Sequence, residues 1–227
     1  MLTANIGDYD ISNDHFFMDN NIDYFYFTDG DKAPKGQTLV KVNTEDFPEN
    51  TPGVQIARLI KANPFKYLLG SNFNYEYIIW VDACFEQKKS VLPLFSILGS
   101  GNILTMQHPN RNCIYSEMVA VKEFKLADEN VLKEHHKMLL NSGYPNGNGL
   151  AATGIMIRRN CEEVHRLCEL WEKLLSGNLY RDQLFFDYAC WVLKIPYKKF
   201  GFSERNAFFY NHLHKKTRIS YEYKSKQ

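Results

Sequence analysis

The stretch Tyr75-Glu76-Tyr77-Ile78-Ile79-Trp80-Val81-Asp82-Ala83-Cys84 decides how this chain is read. Ile78 to Val81 are β-branched or aromatic, the composition of a strand buried on both faces. The apolar run stops at Asp82, so a carboxylate sits at the carboxyl end of that strand. In open α/β sheets this edge is where ligands bind. A carboxylate there suits a divalent cation and the phosphates that such a cation carries. Capping of the following turn is the purely structural alternative. Glu86, four residues on, either assists Asp82 or lies on the surface.

Strand and helix patterns alternate on both sides of this run. Met1 to Ile6, Ile22 to Thr28 and Leu39 to Val42 read as strands. Val54 to Ala62 reads as a helix entered after Pro52 and closed by Pro64. Val91 to Leu98 reads as a helix, Asn102 to Met106 as a strand, and Glu129 to Leu140 as a helix capped by Asp128. His135 and His136 fall on that helix and are expected to face solvent. Asn141 to Gly149, rich in Asn, Gly and Pro, reads as a loop able to act as a lid, and Thr153 to Ile157 as a strand. Cys161 to Leu175 is the clearest amphipathic helix, with Val164, Leu167, Cys168, Trp171, Leu174 and Leu175 on one stripe. A last helix runs from about Asp182 to Leu193. The alternation predicts an α/β protein: one Rossmann-like three-layer domain over residues 1–215 with a mixed, mostly parallel sheet, and a polar basic tail at 216–227.

At 227 residues and 44% hydrophobic, the chain has apolar material for one large core, which argues against disorder. A formal net charge of +1 is too small for a general nucleic-acid binder. No apolar run reaches the roughly 20 residues of a membrane span, and the first residues lack the pattern of a signal peptide. Cys84, Cys113, Cys161, Cys168 and Cys190 include no CxxC pair, so free thiols and a cytoplasmic location are expected. There is no GxGxxG, Walker A loop, HExxH or GxSxG, which removes dinucleotide oxidoreductases, P-loop kinases, zincins and serine hydrolases as leading readings.

Several constellations remain, each with two readings. Arg58 and Lys61 share a helix face, either as a clamp for a diphosphate or as a solvated basic pair. His108, in Gln107-His108-Pro109-Asn110-Arg111, either meets substrate or metal or is a structural histidine, and Arg111 with Glu117 could equally be a surface pair. Asp182, in Arg181-Asp182-Gln183, is either a helix cap or a general base held rigid by a helix start. His212 and His214 alternate in an extended segment, so at most one of them serves a given metal, beside Lys215 and Lys216; a polar tail is the other reading.

Taken in order, Thr3-Ala4-Asn5-Ile6-Gly7-Asp8-Tyr9-Asp10, Phe27-Thr28-Asp29, Ala57-Arg58-x-x-Lys61 with Pro64 and Ile79-Trp80-Val81-Asp82 form the first half of a pattern. His108-Pro109-x-Arg111-x-Cys113-x-Tyr115-x-Glu117, Gly154-x-x-x-Arg158-Arg159, Trp171 and Arg181-Asp182-Gln183 complete it. This set resembles a bacterial and plant glycosyltransferase-like family, long catalogued as a domain of unknown function, within the GT-A nucleotide-sugar transferases. The resemblance covers most of the chain and implies a GT-A fold, a nucleotide-sugar donor with UDP-sugar foremost, a glycan or lipid-linked acceptor, and Mn²⁺ or Mg²⁺. It implies that Ala4, Asn5, Ile6 and Tyr9 border base and ribose with Asp29 near them, and that Arg58 and Lys61 face the diphosphate. It further implies that Asp82 takes the metal, completed by His212 or His214, and that His108, Arg111, Asp182 and Gln183 line the sugar and acceptor side. Asp182 is then the first choice for general base.

The run Asp82-Ala83-Cys84 departs from the Asp-x-Asp that most metal-dependent members carry, and Cys84 is a soft ligand for a hard cation. Either Asp82 works with histidine and water, or Arg58, Lys61 and Lys215 balance the leaving diphosphate. Two rivals remain. A nucleotidyltransferase would want a Gly-rich, Lys-containing loop after the first strand, which Gly7-Asp8-Tyr9-Asp10 is not. A non-catalytic nucleotide- or sugar-binding module fits the missing second Asp.

Overall fold

The structure, a computed structural model, describes residues 1–10, 17–68, 74–176 and 181–212. The sheet is built around β4 (Tyr77–Val81), where Ile78, Ile79, Trp80 and Val81 are all buried, as a strand covered on both faces must be. On one side of it lie β1 (Leu2–Ala4), β2 (Phe25–Thr28) and β3 (Thr38–Lys41). On the other lie β7 (Ala151–Arg159), β6 (Ile103–Gln107) and β8 (Lys198–Phe200). The strand order is β3-β2-β1-β4-β7-β6-β8. Every pairing is parallel except those of β7, which runs antiparallel to both β4 and β6. The protein is thus α/β with a seven-stranded mixed, mostly parallel sheet between helical layers, as the alternation of patterns predicts.

Chain order reverses at β1. The chain steps outward to β2 and β3, then returns to place β4 on the other side of β1. Loops leaving β1 and β4 therefore diverge and leave a crevice at their carboxyl ends. Because β7 is antiparallel, its amino-terminal residues reach the same edge, and Asp82 N–H donates to the Gly154 carbonyl at 2.8 Å.

One face of the sheet is covered by α1 (Gly53–Ala62), α6 (Glu162–Leu175) and α7 (Gln183–Leu193), whose Ile56, Ile60, Trp171 and Phe186 pack with Leu2, Phe27, Ile78 and Trp80. Five of the six stripe residues named above, Val164, Leu167, Cys168, Trp171 and Leu175, are wholly buried. The opposite face carries α3 (Leu94–Leu98) over Ile79, Val81, Ile155 and Ile157. Pro64 closes α1 and opens the short α2 (Pro64–Tyr67).

Several boundaries differ from the sequence reading. The strand expected from Ile22 starts at Phe25, because Ile22 N–H turns back to the Asp19 carbonyl at 3.1 Å. The helix α4 (Ile114–Glu123) carries no clean stripe: Met118, Val119, Ala120 and Val121 are consecutive apolar residues, and Val119 stays exposed. The ribbon of β5 (Phe85–Gln87) with β9 (Phe209–Asn211), and the helix α8 (Phe202–Phe208) before it, are too short for periodicity to reveal. The tail at 216–227 lies outside the described residues.

His135 corrects an expectation. It lies in α5 (Glu129–Ser142), which Asp128 caps by accepting from Asn130 N–H, but its ring points inward and only His136 is exposed. The His135 ring stacks on Phe185 at 4.3 Å, and neither ring nitrogen has a partner among the described residues. Burial, with a smaller push from His136, lowers its pKa to about 4. The folded value lies below the unfolded one, so the unfolded chain binds the proton first as pH falls. Stability is therefore expected to drop between about pH 6.5 and pH 4 by on the order of 3 kcal/mol from this residue alone. Urea midpoints of the wild type and His135→Leu at pH 7 and pH 4.5 check this: the wild type should lose more, and equal losses would reject the buried neutral imidazole.

Candidate functional site

The crevice at the β1/β4 edge is a cleft of about 470 Å³, within the range that holds a small-molecule ligand. It gathers Ala4, Asn5, Ile6 and Tyr9 from the end of β1, Arg58 and Lys61 from α1, Asp82 from β4, and Asp182 and Gln183 from the start of α7. Nine residues that sequence reading singled out thus line one cavity.

Its floor is an ion-pair network. Arg58 and Lys61, one turn apart on α1, both point at the carboxyl ends of the strands. Lys61 Nζ lies 2.7 Å from Asp182 Oδ2, 3.0 Å from Asp82 Oδ1 and 3.2 Å from Asp82 Oδ2. Arg58 Nε stands 3.5 Å from Asp182 Oδ1. Lys61 is only 4% exposed. Burial alone would lower the pKa of its ammonium, but Asp182 and Asp82 together hold it above the ordinary lysine value. Burial would raise the pKa of the Asp182 carboxyl, yet Lys61 and then Arg58 hold it well below the usual carboxylate range. The Trp80 indole donates to Asp82 Oδ1 at 2.7 Å, and the Thr153 hydroxyl to Asp182 Oδ2 at 2.7 Å.

Asp182 stands at the N-cap position of α7 but does not cap the helix through its side chain. Its side chain takes no cap hydrogen bond and its backbone is already helical. Its carbonyl is fixed instead by the Trp171 indole at 2.9 Å. Arg181 also lines the cleft. Arg181 Nε and Gln183 Nε2 are buried there without a partner among the described residues, two donors beside the amino terminus of α7 in need of an acceptor.

Trp80, Thr153, Gly154 and Arg181 are the site residues that sequence reading passed over as functional. A Cβ at Gly154 would lie 3.1 Å from Asp82 Oδ2 and 2.8 Å from the Phe85 ring, so the missing side chain is what admits the carboxylate. Only the approach of β7 to the end of β4 reveals Thr153 and Gly154 as neighbours of this site, whereas Arg181 stands next to Asp182 in the chain.

Other expected site residues are held by partners of their own, some on the cleft wall and some behind it. The Asn5 amide donates to the Asp10 carbonyl at 2.8 Å and accepts from Asp10 N–H at 3.0 Å, so it shapes the loop that carries Tyr9. Asp29 accepts from Gly7 N–H at 2.9 Å and supports the same loop without lining the cavity. His108 Nδ1 accepts the Asn110 and Arg111 amides, and its Nε2 lies 3.7 Å from Glu117, which also pairs with Arg111. Glu117 is 2% exposed, so this is a buried anchor rather than a surface pair, and neither His108 nor Arg111 lines the cleft. The loop expected as a lid is pinned at several points: Tyr115 donates to the Tyr144 carbonyl, Cys113 to Asn146, and His108 N–H to the Leu150 carbonyl. His212 Nε2 lies 2.7 Å from Glu86 Oε2, which accounts for both. His214 and Lys215 lie outside the described residues.

The donor set does not fit the Mn²⁺ or Mg²⁺ that the resemblance implies. Both Asp82 oxygens and one Asp182 oxygen already face the Lys61 ammonium. Burial, reinforced by Asp82 and Asp10, keeps Cys84 a protonated thiol. Among the described residues no group of three or more His, Cys, Asp or Glu comes together to hold a cation.

No family model and no curated protein matches this chain.

Removing one member of a buried charge network leaves the others uncompensated, so Asp182→Asn is expected to cost about 3–5 kcal/mol of stability, measured by urea unfolding at pH 7. A loss of about 1 kcal/mol or less, the size of an exposed pair, would contradict the network.

Proposed function

We propose that the protein is a glycosyltransferase of the GT-A type. In this reading it moves a sugar from a nucleoside-diphosphate donor, UDP-sugar first, onto a hydroxyl of a glycan or lipid-linked acceptor in polysaccharide biosynthesis. One observation carries it. The crevice where strand order reverses combines cations from α1 and from Arg181 just before α7, buried donors with no acceptor among the described residues, and a carboxylate open to the cavity. A leaving diphosphate needs the first two and an attacking hydroxyl needs the third. The five free thiols support a reducing compartment such as the cytoplasm. No helix among the described residues is long and apolar enough to cross a membrane.

The reaction breaks the bond between the anomeric carbon and the donor phosphate oxygen and forms one to the acceptor oxygen. Negative charge grows on the diphosphate, and Arg58, Arg181 and Gln183 Nε2 receive it. The acceptor proton passes to a carboxylate. Asp182, first choice from sequence, is poorly suited: Lys61 and Arg58 hold it far below the usual carboxylate range, which makes it a weak base. Asp82 has a side chain 31% exposed against 9% for Asp182, and it is assigned the proton. Ala4, Ile6 and Tyr9, on the β1 side of the crevice, are left to border the base and ribose.

A second reading, a non-catalytic nucleotide-binding module, is favoured by the engagement of both carboxylates with Lys61. Nucleoside diphosphate release from a panel of UDP- and GDP-sugars separates the two. Transfer or hydrolysis with at least one donor is expected, and Asp82→Asn should cut it by about 100-fold or more while UDP binding changes less than about threefold. Tight nucleotide binding without release from any donor would favour the module.

A further inference from the structure

We propose that the Lys61 ammonium is the built-in cation of this site, standing between Asp82 and Asp182 where a divalent ion would otherwise stand, so that nucleoside diphosphate binds without metal. This deepens the functional reading above and rests on it.

Three observations carry the inference. The first is saturation. An ammonium has three N–H donors, and Lys61 Nζ has three carboxylate oxygens within 3.2 Å, from two residues. Further lone pairs on those carboxylates are taken by the Trp80 indole and the Thr153 hydroxyl. A hard cation needs most of its shell from such oxygens, at distances close to 2 Å for Mg²⁺. The ammonium and a divalent ion cannot occupy the same space between the two carboxylates.

The second is charge. Lys61 and Arg58 against Asp82 and Asp182 sum to zero. A divalent cation is recruited by a donor set with surplus negative charge, and this one has none. The other two charged residues of the cavity, Arg181 and Asp10, balance as well, so the site as a whole offers no surplus negative charge to a divalent ion; what a diphosphate oxygen meets instead is the buried Arg181 Nε, which has no acceptor among the described residues.

The third is rigidity. Lys61 lies in the last turn of α1, where a cation is favoured by the helix dipole, and its stem is buried. It cannot swing out to admit a metal without leaving Asp182, itself 6% exposed, facing Arg58 alone.

Calorimetric titration of UDP into the full chain, once in EDTA and once with excess Mn²⁺, tests the proposal directly. The dissociation constants should agree within about threefold; a tightening by Mn²⁺ beyond that overturns it. If UDP binds in neither condition, the functional reading fails, and the cation claim is decided without nucleotide by titrating Mn²⁺ and following its electron paramagnetic resonance. Wild type should leave Mn²⁺ free, whereas Lys61→Gln, which exposes two carboxylates to each other, should bind one ion as long as it still melts cooperatively. Mn²⁺ bound by the wild type, or left free by a folded Lys61→Gln chain, overturns the proposal. A Lys61→Gln chain that does not fold leaves the wild-type result to decide.

Discussion

Lys61 is a charged side chain removed almost wholly from water, with three carboxylate oxygens around its nitrogen. Burying an ammonium costs several kcal/mol, and only close, well-aligned anions offset that cost. The offset here comes from two separate elements, the end of β4 and the start of α7, while the lysine itself belongs to α1. The ion cluster therefore fixes where three elements meet. It also fixes which way Asp82 faces, because both its oxygens are held on the Lys61 side and one is held again by Trp80.

The sheet supplies the place. Reversal of strand order at β1 opens a crevice beside β4, and the antiparallel β7 brings Thr153 and Gly154 to its wall. Trp171, from the middle of α6, reaches the Asp182 carbonyl, so the buried stripe of that helix positions the site as well as the core. Core packing and charge placement are thus one structural problem. Arg181 and Gln183 remain the unsatisfied part of it, since their buried donors meet no acceptor among the described residues. A bound anion would complete them.

Much of this was legible in the sequence because it depends on local period. The apolar run ending in Asp82 gave a doubly buried strand with a carboxylate at its mouth. The three-residue spacing of Arg58 and Lys61 gave a shared helix face. What stayed hidden depends on partners far apart in the chain. Asp182 before an apolar helix has the signature of a cap, and only the tertiary position of α1 turns it into an ion-pair partner. His135 sits beside His136 in a polar-looking helix, and only the approach of Phe185 buries it. His108 and Arg111 have the residue types of a catalytic pair, yet the buried Glu117 holds them as an anchor behind the cleft. The donor set suits the implied metal poorly for a similar reason, since spacing shows a carboxylate but not the ammonium that faces it.

Lys61, charged, buried and locked between two carboxylates, holds the site together. This is tested most directly by nitrogen-15 NMR of the lysine side chains at neutral pH, with Lys61→Arg used to assign the signal. A Lys61 ammonium resonance is expected whose protons exchange with water far more slowly than those of the exposed lysines, and whose exchange quickens in Asp82→Asn. A Lys61 signal that exchanges like a surface lysine, or that reports a neutral amine, would contradict it.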